Sequence, residues 1–394
     1  MVSVEEAIQL IEQNTSQLKP YSIELTKALG YALSENILAP ISLPPFEQSA
    51  MDGYAIAQDN DKTIRFKLIG ETKAGDESNS ELKAGEAIRI FTGAMVPKGA
   101  TAVIMQEHTK VAKHEVQILQ DIKARGNIRP IGEQIKAGDL ALPKGTVLNP
   151  ASIGFLASLG IKHVKVFSKP RVGLIVTGNE LVEAGQKLKP GQIYESNSLM
   201  LLAALKQSGI EVELMKTLQD NLDLTIQTIK ESVINTDVLI LSGGISVGDY
   251  DFVGKAMEEL HVNQIFYKVK QKPGKPLFFG TKNNCRIFAL PGNPSASLSC
   301  FYHYVLPAIR IMSGRKPYAL EKRTVQLKEQ YTKQDNRAHF LKAKVDDNYV
   351  AILEGQSSAM LHTYSVANAL IYIPEDKQES KKGELVAAYL LPTF

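Results

Sequence analysis

The pattern of apolar and polar positions changes texture along the chain. Over residues 3–13, Val4, Ala7, Ile8 and Ile11 recur at helical spacing behind Ser3, whose hydroxyl suits the first free amides, so a short amphipathic helix is predicted. A second helix is expected over about 25–33, before Pro40 breaks the pattern. From 57 to about 140, short alternating runs at 65–70, 87–91, 102–106 and 115–119 are punctuated by glycine, which predicts a small β-barrel or sandwich. A short helix at 151–159 ends at Gly160. Residues 171–313 then alternate strands at 172–177, 210–218, 238–241, 264–269 and 286–290 with helices at 198–207, 222–233, 252–260 and 295–312. Val238 to Leu241 is a continuous branched apolar run, as expected of a strand buried on both faces. Such alternation implies right-handed crossovers and a mostly parallel sheet between two helical layers. From about 316 short strands return, at 323–327, 339–345, 349–353 and 369–373, and predict a small all-β closing domain.

The chemistry-bearing residues fall where these strands end. After the 238–241 strand come Ser242, Gly243, Gly244, Ser246 and Gly248, a loop free to adopt unusual backbone angles and to bring amides close to an anion. Asp249 and Asp251 follow at once. Four other strands lead into Gly178-Asn179-Glu180, Gln219-Asp220, Lys272-Pro273-Gly274-Lys275 and Pro291-Gly292-Asn293-Pro294. Ligands of open α/β sheets bind outside the carboxyl ends of the strands, so these loops are expected to converge on one edge. One glycine-rich turn with solvated acids is unremarkable by itself; the convergence of five such loops is what singles out this edge. Glu180, Asp220, Asp249 and Asp251 would repel one another there unless a cation such as Mg²⁺ joined them. Lys272 and Lys275 would offer compact positive charge to a phosphate or another tetrahedral oxyanion. Metal bridging beside a lysine clamp suits transfer at a phosphorus-like centre.

Elsewhere, two prolines and Asp52-Gly53 mark a dense turn over 43–56, where Asp52 is either a positioned carboxylate or part of a domain entry. Thr92 either donates to an anion or caps a turn, and Ser357 and Ser358 suit a turn between strands better than a ligand contact. His339 and His362 have no partner in sequence and are assigned no chemistry. No Ser-His-Asp or Cys-His pairing is evident. The residues alone therefore reach a phosphorylated ligand, a metal and an oxyanion, and no further.

The totals narrow the class. At 394 residues the chain exceeds one ordinary core, and 44% hydrophobic with 22% charged residues is globular composition. A net charge of +3 gives no reason to expect nucleic acid as the main partner. Cys285 and Cys300 lack metal-ligand spacing and read as reduced structural residues rather than a disulfide. No apolar run reaches the roughly 20 residues of a bilayer span, and the start of the chain has no signal-peptide pattern, so a cytoplasmic protein without membrane attachment is expected.

A set of motifs in fixed order adds more: Pro44-Pro45-Phe46, Ser49 to Ala55, Phe91 to Ala94, Thr177 to Leu181, Ser242 to Gly248 with Asp251, Lys272 to Pro276, and Pro291 to Ser295. Together they closely resemble the MoeA family of molybdopterin molybdotransferases, similar to the E domain of gephyrin, over essentially the whole chain. The resemblance implies four domains: an elongated N-terminal domain (1–45 and 141–170), an inserted β-barrel-like domain (46–140), a three-layer α/β molybdopterin-binding domain (171–315) and a C-terminal β-barrel-like domain (316–394). It implies Mg²⁺-dependent insertion of molybdenum, from molybdate and adenylyl-molybdopterin, with release of AMP. It also implies a homodimer whose sites are shared, the parallel-sheet domain of one subunit facing the Asp52 turn of the other, and passing contact with the adenylylating enzyme and with molybdoenzyme-maturation proteins.

By motif position, Asp52, Thr92, Glu180, Asp220 and Asp251 become the catalytic candidates, with Glu180, Asp220 and Asp251 on the metal. Gly243, Gly244, Ser246, Asp249, Lys272, Lys275, Pro291, Gly292, Asn293, Pro294 and Ser358 become the substrate-binding candidates. One departure stands out: Gln134 follows Gly132-Glu133 where the family usually has an acid, and Asp139 is the nearest substitute in sequence. Two other roles compete with the insertase reading. One is a pterin adenylyltransferase, which the N-terminal arm and both β domains disfavour. The other is a molybdopterin-binding carrier or scaffold, which needs a docking groove that residues 316–394 do not advertise.

Overall fold

The computed structural model describes residues 1–60, 63–77, 80–245 and 252–392. Its centre is a six-stranded sheet of β1 (Val172–Thr177), β2 (Val212–Leu218), β3 (Val238–Ser242), β4 (Asn263–Tyr267), β5 (Phe278–Lys282) and β6 (Cys285–Leu290), in the order β2-β1-β3-β6-β5-β4. β1, β2, β3 and β6 run parallel, while β5 runs against both β6 and β4. The carboxyl end of β4 therefore falls on the same edge as those of the parallel strands. β5 is a strand that the apolar pattern did not reveal. Its hairpin to β6 turns on Asn283-Asn284, with Asn283 at φ +54°, so asparagine supplies the left-handed backbone that a glycine usually announces.

Five helices cover this sheet: α1 (Asn197–Gln207), α2 (Leu222–Asn235), α3 (Phe252–Glu259), α4 (Pro294–Cys300) and α5 (Leu306–Met312). Every residue of β1 and β3 is buried, because alternate side chains enter different cores. Leu174 and Ile240 pack with Leu201, Phe301 and Ile309 under α1, α4 and α5. Ile175, Leu239 and Leu241 pack with Ile229, Val253 and Met257 under α2 and α3. The result is the three-layer arrangement expected. The single helix expected over 295–312 instead carries a π-helical turn, Phe301–Val305, between α4 and α5. Pro307 lies in the first turn of α5, and its missing N–H gives a physical reason for the irregular join.

The N-terminal helix Val4–Gln13 forms as its pattern predicts. The Ser3 hydroxyl accepts from the Glu6 N–H at 3.0 Å, the Glu6 carboxylate accepts in return from the Ser3 N–H, and Val4, Ala7 and Ile11 join the core under α1, α4 and α5. The helix expected over 25–33 is not formed. Strand Pro20–Glu24 pairs instead with His163–Phe167, and only a 3-10 turn, Leu25–Lys27, follows. Within the expected range itself Ala32 and Leu33 bridge to Val147 and Val166, so long-range pairing has overridden a local apolar spacing. Two further short pairs, Ile37–Leu38 with Leu140–Leu142 and Gln48–Ser49 with Ile128–Arg129, tie the chain before and after the inserted strands. Those strands form one six-stranded sheet from Gly53–Ile56 to Glu115–Ile118.

Beyond α5, β7 (Lys322–Leu327), β8 (Ala338–Asp346), β9 (Tyr349–Ile352), β10 (Ala369–Ile373) and β11 (Leu385–Leu390) pair in the cycle β8-β9-β7-β11-β10-β8, a closed five-stranded barrel. Gln271–Lys272 adds to β8 in parallel, so the loop after β4 is stitched onto the barrel. Both cysteines are free and buried, and burial raises their thiols to about 11 for Cys285 and about 12 for Cys300, as expected of inert structural residues. Among the described residues no helix is long and apolar enough to cross a membrane.

Candidate active site

At the carboxyl edge of the central sheet the loops after β1, β2, β3 and β6 surround a cavity of about 640 Å³. Glu180, Asp220, Gly243, Gly244, Asn293 and the flanking Pro291, Gly292 and Pro294 all line it. Sequence-predicted residues from four separate loops are thus brought together. The glycines are required here on two counts. Gly243 and Gly244 have φ of +90° and +62°, and a Cβ would approach the Thr177 carbonyl within 2.4 Å at Gly243 and the Thr177 hydroxyl within 2.6 Å at Gly244. The loop is therefore pressed onto the end of β1 as only glycine allows. One expectation is modified: the Gly243 N–H bonds the Leu290 carbonyl at 3.3 Å, so this amide ties β3 to β6 and is not free for an anion.

The two acids meet across neighbouring loops. Glu180 is exposed and Asp220 half-buried, and the Asp220 N–H bonds the Asn179 side chain at 2.9 Å, fastening the β1 and β2 loops together. Burial raises the Asp220 carboxyl above its ordinary value, a backbone hydrogen bond from Asn179 offsets part of that, and the negative charge of Glu180 adds a smaller upward push. Ser246, Asp249 and Asp251, the remaining candidates of this loop edge, lie outside the described residues.

Asn197, the first residue of α1, was not singled out by sequence. Its amide donates to the Ser242 hydroxyl at 3.0 Å and to the Gly292 carbonyl at 2.7 Å, bridging the loops after β3 and β6. Its own carbonyl oxygen, like the Thr177 hydroxyl, is buried at the cavity without a partner among the described residues. Unpaired buried polar atoms are costly, and two at one cavity are what a site built to bond a ligand leaves behind.

The lysine loop borders this cavity through Pro276, while Lys272 and Lys275 themselves are exposed and outside its lining. Behind them the loop is rigidly backed. Gln271 donates to the Gly274 carbonyl at 3.0 Å and accepts from the Tyr304 hydroxyl, and a Cβ at Gly274, φ +86°, would meet Cys300 Sγ at 2.5 Å. Ser358 does reach the site: its hydroxyl accepts from Asn293 at 2.9 Å, and its carbonyl accepts from Ala296 N–H. Lys342 of β8 is the most informative residue that sequence reasoning passed over. Its buried ammonium bonds the Ser295 hydroxyl at 3.1 Å and the Ser357 and Met360 carbonyls at 3.3 and 2.8 Å, with no carboxylate partner among the described residues, and burial lowers its pKa. A lone lysine within an alternating strand carries no sequence signal of this. His339, left without chemistry on sequence, is held on both nitrogens, by Tyr331 at 2.8 Å and by Asp335 at 3.0 Å.

Asp52 and Thr92 form a separate clasp. One Asp52 oxygen accepts from the Thr92 N–H at 2.7 Å and its hydroxyl at 2.8 Å, and these bonds, with Arg89 nearby, hold the carboxyl below its ordinary range. Gly53 makes the turn possible, since a Cβ would lie 1.9 Å from the Ile104 carbonyl. Neither Asp52 nor Thr92 lines the 640 Å³ cavity. Gln134 is exposed, its N–H bonded to Leu43 O, and Asp139 accepts from Lys136 N–H, closing its own turn.

A mostly parallel sheet covered on both faces, with a glycine-pressed cavity at its carboxyl edge and a closed β-barrel beside it, defines a multidomain α/β protein with a ligand-handling edge, and comparison with known proteins makes this specific. Residues 2–160 match the MoeA N-terminal region (domain I and II), 173–311 the probable molybdopterin binding domain, and 324–391 the MoeA C-terminal region (domain IV). The chain belongs to the MoeA family, enzymes of molybdenum cofactor biosynthesis. It is 35% identical to the molybdopterin molybdenumtransferase of Staphylococcus epidermidis, over 99% of this chain and 95% of that one. The Staphylococcus aureus molybdopterin molybdenumtransferase is 33% identical over 98% of this chain and 94% of its own length. The crystal structure of the molybdopterin biosynthesis MoeA protein of Pyrococcus horikoshii superposes with a TM-score of 0.85 at 30% identity, covering 99% of this chain and 100% of that one.

Proposed function

We propose that the chain transfers molybdate to adenylyl-molybdopterin with release of AMP, as a Mg²⁺-dependent insertase. The observation that carries this reading is the carboxyl-edge cavity, where the Glu180–Asp220 pair stands beside two buried, partnerless polar atoms. The fit to Mg²⁺ rests on the donor set: two carboxylates near enough for one to raise the other, at a polar edge that admits water. Glu180 and Asp220 would hold the ion, with Asp251 as the third candidate ligand, which lies outside the described residues. Bound there, Mg²⁺ supplies Lewis-acid neutralisation of phosphate oxygens.

The protein's own residues do the rest. Gly243 and Gly244 give the ligand close access to the sheet edge, and the Asn197 carbonyl and Thr177 hydroxyl bond its polar groups. Pro291 and Pro294 shape one wall, Asn293 is oriented by Ser358, and Lys272 and Lys275 attract the phosphates or molybdate from the rigidly backed loop. The Asp52–Thr92 clasp lies off this cavity within one chain, which supports a homodimer in which the partner's clasp completes the site. Cytoplasmic location and handover from an adenylylating enzyme belong to the same reading. The test supplies purified protein with adenylyl-molybdopterin, molybdate and Mg²⁺ and follows AMP and active cofactor together. Release of both only when molybdate and metal are present is expected; tight ligand binding without AMP release makes the chain a carrier instead.

A further inference from the structure

The opposite end of the central sheet carries a second and larger crevice, of about 1560 Å³. Lys19, Tyr21 and Tyr31 of the N-terminal region form one side, and Lys169, Lys206 and the amino ends of the sheet strands form the other. It lies about 20 Å from the carboxyl-edge cavity, the length of a six-residue strand. Much of its charge is already balanced. Arg171 bonds the Asp237 carboxylate through two nitrogens, each at 3.1 Å, and Arg286 bonds the Asn14 and Asn284 carbonyls.

Two further half-buried cations lie close together without a carboxylate partner among the described residues. Lys169 and Arg315 are both half-buried and converge beside Gly209, where a Cβ would lie 3.7 Å from the Lys169 ammonium and 3.9 Å from an Arg315 nitrogen. Neither is in an ion pair among the described residues. Arg315 donates to the Ser208 carbonyl at 2.6 Å, and Lys169 sits over the Tyr31 ring at 4.4 Å. The nearest counter-charge to Lys169 is Glu211, on the crevice wall with Glu213. Burial and the Arg315 charge both lower the Lys169 pKa, so the two cations are held together at a cost. Gly209 itself is explained by its φ of +75°, just past the end of α1; the convergence of two cations on it is not.

We propose that this crevice is a second anion site, taking a phosphate-bearing small molecule whose phosphate lies against the Lys169 ammonium near Gly209, with the Arg315 guanidinium adding its charge from just outside the lining. A guanidinium fork next to a compact ammonium suits a tetrahedral oxyanion of more than one charge, and the exposed Tyr21 ring offers an apolar wall to the rest of the ligand. The site is independent of the transfer reaction, because it shares no residue with the carboxyl-edge cavity.

The test titrates inorganic pyrophosphate into the full chain carrying Lys272→Gln and Lys275→Gln, which removes the competing lysine pair, at ionic strength held constant with chloride. Binding should persist in that chain and weaken at least tenfold when Lys169→Gln is added. Thermal stability in anion-free buffer should then be equal or higher, because a like-charge contact has gone. Several results overturn the proposal: no binding, affinity unchanged by Lys169→Gln, or binding abolished by the lysine-loop changes alone. So does a Lys169→Gln chain that melts earlier without anion, which would make the lysine a brace on Tyr31. Dissociation of an oligomer by pyrophosphate would assign the cations to a partner's carboxylates. Arg315→Gln serves as a second variant, with the same loss of binding expected.

Discussion

The two described groups of candidate acids stand in opposite electrostatic conditions. Asp52 is exposed yet fully engaged, with the Thr92 amide and hydroxyl on one oxygen, and its carboxyl is held low. Asp220 is half-buried beside another acid, and its carboxyl is pushed up. The first is stabilised as a charge by the protein itself; the second is a charge that the protein alone leaves under-compensated. A carboxylate of the first kind is a positioned group whose geometry is set before any ligand arrives. One of the second kind would gain from a cation, which is why the proposed metal is assigned to Asp220 and Glu180 rather than to Asp52.

The largest effect that tests this contrast is expected from Asp220→Asn. Turnover in the AMP-release assay should fall by about 10²-fold or more, as when one preorganised electrostatic group is removed from a transfer site. Stability should hold or rise slightly. A folded-state pKa above the unfolded value means that the ionised carboxylate costs stability, a cost that sets in as pH rises past the ordinary aspartate range and that asparagine does not carry. A clear fall in melting temperature at neutral pH would sink the assignment of Asp220 as an under-compensated charge. Next comes the sharing of the site. Chains with Asp52→Ala and chains with Asp220→Asn should each be nearly inactive alone, and mixing them through dissociation and reassociation should restore about a quarter of wild-type activity, one intact site in each mixed dimer. No recovery would place Asp52 outside the partner's site. Smaller again is Gly244→Ala, whose Cβ would meet Thr177 Oγ1 at 2.6 Å and Val253 Cγ2 at 2.7 Å at a φ of +62°. A loss of about 1–3 kcal/mol in denaturant unfolding is expected.

How much of this was legible beforehand follows the physics of each signal. β1, β3 and their loops were readable because a strand buried on both faces must be continuously apolar and must break where ligand access begins, as at Ser242-Gly243-Gly244. The barrel strands were readable as short apolar runs between turns, as in Ala369–Ile373, whose Ala369, Ile371 and Ile373 face the barrel core. β5 was hidden because Asn283-Asn284 makes its turn without glycine or proline. The strand Pro20–Glu24 was hidden because its partner, His163–Phe167, is some 140 positions away and nothing local marks the pairing. In the site, glycines, prolines and acids in fixed order carried the signal. Asn197 and Lys342 did not, because what they do depends on contacts across loops: Asn197 joins Ser242 to Gly292, and Lys342 joins Ser295 to Ser357.

The finest test addresses the clasp itself. Thr92 holds the Asp52 charge chiefly through its backbone N–H and secondarily through its hydroxyl. Thr92→Val keeps the shape and the N–H and removes only the hydroxyl, so the Asp52 carboxyl should rise part of the way back toward its ordinary value. The sign on stability follows. A depressed carboxyl contributes stability above its unfolded-state pKa and loses it as pH falls through the folded-state value. In Thr92→Val the contribution above the unfolded-state pKa should be smaller, near neutrality included, and its loss on acidification should be complete at slightly higher pH. The carboxyl carbon of Asp52, followed by NMR through acid titration, reads this directly. A titration that does not move would mean that the N–H alone fixes the charge. Thr92 would then contribute only a backbone bond that any residue but proline at this position supplies, and the hydroxyl would be free to bond a ligand.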